Sequence, residues 1–484
     1  MTPSLLLLPW LLPLLVLVLG VASGRMSISR SALAALLLSA CIALMASPAP
    51  YAYAQLWQAL LRGAWIGGNI APYILGGILF WQAAASSAPP AEAHRLSPLE
   101  QRRHIFFACF LVGPFAEAAT GFGVGMLGTI ALIRHFHLGS RQVAVFALLS
   151  QTYIPWGAMG SGSVLAAAYA RLPANELTLY ASIPSATLML VWLPLYWHTL
   201  KQAGLDGHRK EAVREVAWIA LSLALLVLTT AYIGPETSLL AVFGALMAIR
   251  YVVRYRPTLE QLRTTWLQVA PHALLILALL ISRLSPELKL FLENWGRWQA
   301  YPDLPGWSPF YHAGSLLILG ALLCCVWRRR LAQVPALLAS AWQKGSQAMI
   351  SIILFAMMAE ILQSTGTSAL LATELFTHMQ QYALLCSTLL ASALGILTNS
   401  GNMPNSLLMN AQLSLATHLD LHRALVAGLL HGTGTCLSIF SPIRLSIACG
   451  LAQQAGQERQ LYGLLLPYIL AAMLLMLALA YLLL

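Results

Sequence analysis

A helix needs about 20 apolar residues to cross a bilayer, and this chain offers such runs at 4–22, 31–47, 64–83, 177–200, 216–233, 237–252, 266–283, 312–327, 346–363 and 460–484. A soluble fold could not bury that much apolar surface. With 59% hydrophobic residues, 9% charged residues and a mean hydropathy of +0.74, the 484-residue chain reads as an all-α polytopic membrane protein. The first run carries Pro9 and Pro13 and has no basic residue before it, so it reads as a retained helix rather than a cleaved signal.

Two further apolar stretches are interrupted at their middles. Residues 398–405 read Thr-Asn-Ser-Gly-Asn-Met-Pro-Asn, and residues 117–123 read Glu-Ala-Ala-Thr-Gly-Phe-Gly. Backbone released from a helix at membrane depth is tolerated only inside protein or against a water-filled cavity, and in transporters such breaks form the substrate site. Residues 105–133 and 382–417 are therefore expected to be re-entrant hairpins with tips at Glu117 and Asn399. Each is followed by an interrupted crossing helix, 143–173 around Gly157 to Ser163 and 424–451 around Gly432 to Thr435. The expected architecture is about 12 crossings plus two hairpins; simple crossing of the hairpins would change the count.

Lys and Arg in short loops set orientation. With the N-terminus outside, Arg25 and Arg30, Arg95, Arg102 and Arg103, Arg134 and Arg141, Lys201, Arg209, Lys210 and Arg214, Arg250, Arg254, Arg256 and Arg263, and Arg328 to Arg330 share one side, which is the cytoplasm. The hairpins then enter from opposite sides. The order helix, connector, hairpin, broken helix, closing helix also recurs. The chain accordingly divides into an N-terminal helix pair (1–63), a first inverted repeat (64–200), connecting helices (201–345) and a second inverted repeat (346–484).

Function classes narrow with the charges. Asp206, Asp303 and Asp420 all lie in expected loops, so no carboxylate cluster is available within the membrane for a metal or a phosphate donor. No metal, cofactor or enzyme chemistry is expected. The net charge of +11 sits in short inter-helix clusters, which argues for orientation and against nucleic acid. The seven Cys fall in apolar segments without paired spacing and read as small buried hydrophobes. Trp65, Trp81, Trp192, Trp197 and Trp266 read as interfacial anchors.

Gly113-Pro-Phe-Ala-Glu117-Ala-Ala-Thr-Gly121-Phe-Gly123, Trp156-Gly-Ala-Met-Gly160, Glu360-Ile-Leu-Gln-Ser364-Thr-Gly366-Thr-Ser368, Ser400 through Asn405 to Gln412, and Ile439-Phe-Ser441-Pro442 with Ile447-Ala448 resemble, in this order, the L-lactate permease family. The resemblance covers about 105–165 and 350–470. It implies a proton-driven carrier of short 2-hydroxy monocarboxylates, lactate and glycolate, in a bacterial inner membrane, within a wider group of inverted-repeat anion transporters. Val124-Gly125-Met126 and Gln151-Thr152 depart from the family's usual Gly-Ala-Pro and Asn-Thr.

The residues themselves suit a small anion, because hydroxyls, amides and free backbone N–H groups at half-helix N-termini bind a carboxylate without a permanent counter-charge. Thr120, Gly121, Ser161, Ser163, Thr398, Asn399, Ser400, Asn402 and Asn405 are the substrate-binding candidates, with capping of the broken helices as the competing role. Arg444 adds a planar fork that matches a carboxylate, against a role as an orienting charge that reaches the surface. Glu117, Glu360 and His431 are the proton-coupling candidates, since a charge at mid-bilayer costs at least ~2.5–3.5 kcal/mol. Expected partners are a small carboxylate, protons and lipid, with a homo-oligomer left open. Another small organic or inorganic anion, or a place in a larger ion-translocating complex, remain the alternatives.

Overall fold

The computed structural model describes residues 7–23, 25–47, 50–85, 96–121, 123–207 and 209–484, without the Ala22 and Tyr255 side chains. Arg95, Phe122 and the first residues of the 4–22 run lie outside them. The described chain is helical, with no β-strand and one isolated bridge between Trp298 and Trp307. Among these residues, ten helices are long and apolar enough to cross a membrane, accompanied by shorter apolar helices such as Ala313–Trp327. The protein is an all-α polytopic membrane protein.

Two helices outrun the expected spans. The 64–83 span is the later part of Tyr53–Ala84, and 346–363 is the end of Val334–Ser364. The reason is electrostatic. Arg62 of the first pairs with Glu360 of the second at 2.9 Å, so neither charge has to leave the helix. Close backbone contact supports the pair, because a Cβ on Gly63 would stand 2.3 Å from the Met357 Cα. Likewise the expected connector 364–381 is largely helical, Thr367–Met379.

The first interrupted stretch starts at Pro98 rather than 105. Ser97 caps it, accepting from the Glu100 N–H at 3.3 Å while Glu100 accepts from the Ser97 N–H at 3.1 Å. The helix Pro98–Phe107 runs through a π turn, Ala108–Val112, into Gly113–Thr120, and the chain returns as Val124–Ile133. The second stretch pairs Ala383–Thr398 with Asn402–His418. Both are helical hairpins, and each is followed by two half-helices: Ser140–Leu149 with Ser161–Ala170, and Arg423–Leu437 with Pro442–Leu451.

The last helix, Glu458–Leu482, relates the two hairpins. Near its start Gln460 accepts from Arg141, just beyond the first hairpin. Near its end Ala480 joins an apolar cluster with Ala383, Leu384, Leu415 and Ala416 at the base of the second. The hairpin bases thus lie at opposite ends of the bundle.

Among the expected anchors, Trp192 is a correction. It is fully buried against Phe440, with ring centroids 5.2 Å apart, because the helix Ala174–Gln202 packs on the break of the second interrupted helix.

The basic residues sort to the two ends accordingly. Arg254 meets Glu100 at 2.8 Å at the end where Pro98–Phe107 begins, and Arg62 meets Asp303 at 2.6 Å at the other. With the first end cytoplasmic, a single cysteine at position 305 on a Cys-free background should react with a reagent that cannot cross the membrane, and one at 206 should not. Labelling at 206 from outside would reverse the assignment.

Candidate functional site

Both hairpin turns face one cavity of about 320 Å³, near the lower end of the ~300–1,000 Å³ usual for ligand pockets. Gly121 and Gly123 reach it from the first turn, Thr398 to Asn402 from the second, Ser161 and Gly162 from the first broken helix, and Arg444 from the second.

The first turn is held by its own carboxylate. Glu117 accepts from the Gly123 N–H at 3.1 Å and the Gly125 N–H at 3.0 Å, so an anion sits on the N-terminus of Val124–Ile133. The Gln151 amide, with its nitrogen toward Glu117, donates at 3.0 and 3.3 Å and accepts from Ser150 at 3.2 Å. Gly125 permits this approach, because a Cβ there would stand 2.5 Å from the Gly113 carbonyl and 2.9 Å from the Glu117 Cβ.

The second turn is held from across the site. Asn399 takes the left-handed conformation, φ 57°, and its Oδ1 accepts from Ser441 Oγ at 2.9 Å. Ser441 in turn caps Pro442–Leu451 by accepting from the Arg444 N–H at 3.0 Å. One serine therefore joins the hairpin tip to the half-helix that carries Arg444. Ser400 accepts from the Asn402 N–H at 3.1 Å and closes the turn.

His431 lies behind the cavity wall, fully buried, and joins three elements. Asn405 Nδ2 donates to the Gly162 carbonyl at 3.3 Å and to His431 Nδ1 at 2.9 Å, so Nδ1 is an acceptor. The ring proton then sits on Nε2 and is donated to Ser163 Oγ at 2.8 Å. A neutral imidazole thereby ties the first broken helix to the second hairpin.

The structure thus separates the sequence candidates into three places. Glu117, Gly121, Ser161, Thr398, Asn399, Ser400, Asn402 and Arg444 line the cavity. Thr120 turns its hydroxyl onto the Ala116 carbonyl at 2.6 Å, while Ser163, Asn405 and His431 form the junction behind the wall. Glu360 stands apart at the end opposite Arg254. There Arg62 links it to Asp303, and Arg171, following the first broken helix, also reaches Asp303 at 3.3 Å. The Arg62 guanidinium holds the Asp303 carboxyl below its usual range.

Sequence reading missed the third wall. Lys344, Gln347, Ser351 and Phe355 line the cavity from Val334–Ser364. Their spacing of three, four and four places them on one helix face, and a Lys, Gln and Ser at that spacing beside an apolar run was the available signal. Gln151, noticed only as a departure from the family pattern, is the side-chain partner of Glu117.

No curated protein matches the chain. Residues 306–484 match the family model described as L-lactate permease, a stretch that includes Lys344, Glu360, the second hairpin, His431 and Arg444. The first hairpin and first broken helix precede it. Through residues 306–484, the chain is similar to the L-lactate permease family.

Proposed function

We propose that the protein is a secondary active transporter that moves a short 2-hydroxy monocarboxylate, lactate or glycolate, together with protons across the bacterial inner membrane. The observation that carries this reading is the cavity itself: two hairpin turns present hydroxyls, amides and an arginine to one small space, and the half that contributes Arg444 lies within the lactate permease match. A carboxylate is met there by the Arg444 fork. Ser161, Ser400 and Asn402 supply hydroxyl and amide groups for the 2-hydroxyl and the remaining carboxylate lone pairs.

For coupling, Glu117 is the candidate among the three titratable groups that lines the cavity. Protonation turns one acceptor site of its carboxyl, which accepts from Gly123, Gly125 and Gln151, into a donor, so the hydrogen bonds at the first turn have to rearrange. Proton binding and the geometry of the tip are thereby linked. Glu360 and His431, away from the cavity, keep architectural roles in this reading: one in the ionic link to Asp303, the other in the junction with Ser163 and Asn405.

Counterflow in proteoliposomes tests the substrate. Preloaded lactate should drive uptake of labelled lactate and glycolate, and inorganic anions should compete poorly. Preference for phosphate or sulfate, or no exchange by the purified chain, would overturn the reading.

Glu117→Gln should abolish accumulation driven by a pH gradient while retaining part of the exchange, because the amide still offers one oxygen to the Gly123 and Gly125 amides. Accumulation at the wild-type level would remove Glu117 from coupling.

Arg444→Lys keeps the charge and loses the fork. Losing a hydrogen bond to a charged group should weaken lactate binding by about 1.5–3 kcal/mol, read as reduced protection by lactate against thermal unfolding. Unchanged protection would make Arg444 an orienting charge only.

A further inference from the structure

The cavity treats its cations differently from four arginines that are paired elsewhere in the bundle. Arg62, Arg102, Arg103 and Arg283 each meet a carboxylate at 2.5–2.9 Å, on Glu360, Glu215, Glu211 and Glu236. Lys344 and Arg444 both line the cavity, and neither has a carboxylate partner at ion-pair distance among the described residues. The cavity's own carboxylate, Glu117, is already engaged by two backbone amides and Gln151. Arg444, only partly exposed, is a cation set within an apolar bundle without a counter-charge, which is costly. A ligand anion would supply the missing charge.

The two cations also belong to different parts of the fold. Lys344 stands on Val334–Ser364, which packs along Tyr53–Ala84, and Arg444 stands on the half-helix whose first turn is fastened to the second hairpin through Ser441 and Asn399. We infer that Lys344 is a second cationic anchor for the carboxylate, so that the bound anion bridges the Val334–Ser364 helix and the half-helix bearing Arg444. This rests on the anion-carrier reading above and names a residue that reading does not use. The division of labour follows from the side chains: Arg444 orients the carboxylate with a fixed fork, and Lys344 contributes a mobile point charge from an exposed position beside Gln347. An anion held between the two elements draws them together, whereas an empty site leaves two like charges facing one space.

The chain has four lysines, Lys201, Lys210, Lys289 and Lys344, which makes the test direct. The purified full-length protein is treated with an amine-reactive acylating reagent with and without lactate, and modification of each lysine is read by peptide mass spectrometry. Lactate should protect Lys344 several-fold and leave Lys201, Lys210 and Lys289 unchanged. In proteoliposomes Lys344→Gln should raise KM for lactate about ten-fold or more, the loss expected for a charged hydrogen-bonding partner, with a smaller change in kcat. Lys344→Arg should restore most of the affinity. Lactate exchange by the wild type with no protection of Lys344, or Lys344→Gln with an unchanged KM, would overturn the anchor and leave the transport reading intact. A wild-type protein that neither exchanges nor binds lactate would overturn both. The labelling experiment needs no variant, so poor folding of Lys344→Gln does not remove the test.

Discussion

Everything around the cavity depends on sealing backbone that has been released from helices in the middle of an apolar bundle. Two hairpin turns and two helix breaks free N–H and C=O groups where lipid offers them no partner. The protein seals them with side chains that reach across from other elements. Glu117 serves the amides of Gly123 and Gly125, Ser441 caps one half-helix while fixing Asn399 in the opposite turn, and Asn405 binds the Gly162 carbonyl. The Glu117 contacts stay within one hairpin, whereas Asn405 reaches a carbonyl 243 residues away. The cavity is what the sealing groups leave open.

Charge follows the same rule with one exception. Away from the cavity, arginines at depth are matched by glutamates, as in the bidentate Arg102–Glu215 pair, where both contacts are 2.8 Å and Trp197 donates a further bond to Glu215 at 2.7 Å. Such pairs hold helices together because removing one partner strands the other charge. At the cavity Lys344 and Arg444 have no carboxylate partner among the described residues.

The link between Arg62, Glu360 and Asp303 shows why helix ends were hard to place. An Arg and a Glu each argue for the end of a span when read singly; read as a pair they permit helices 31 and 32 residues long. The same holds for Trp192. An aromatic near an expected span end suggests an interface, until the Phe440 ring of another segment is found against it.

From sequence alone one could read the membrane class, the positions of the long apolar spans, the two interruptions and eight of the residues that line the cavity, because these are properties of composition and local spacing. Glu117, Ser400, Asn402 and Arg444 were legible for that reason: polar groups in apolar surroundings need a cause. Only the tertiary structure decided which of them face the cavity and which face each other. Thr120 turned to its own helix, Ser163 and Asn405 to His431, and Glu360 to Arg62 at the far end. It also brought in Lys344, signalled only by the spacing of its helix face, and Gln151, noticed only as a departure from the family pattern. The physical reason is that a polar side chain records its need for a partner in the sequence, while the partner's identity is set by packing between segments hundreds of residues apart.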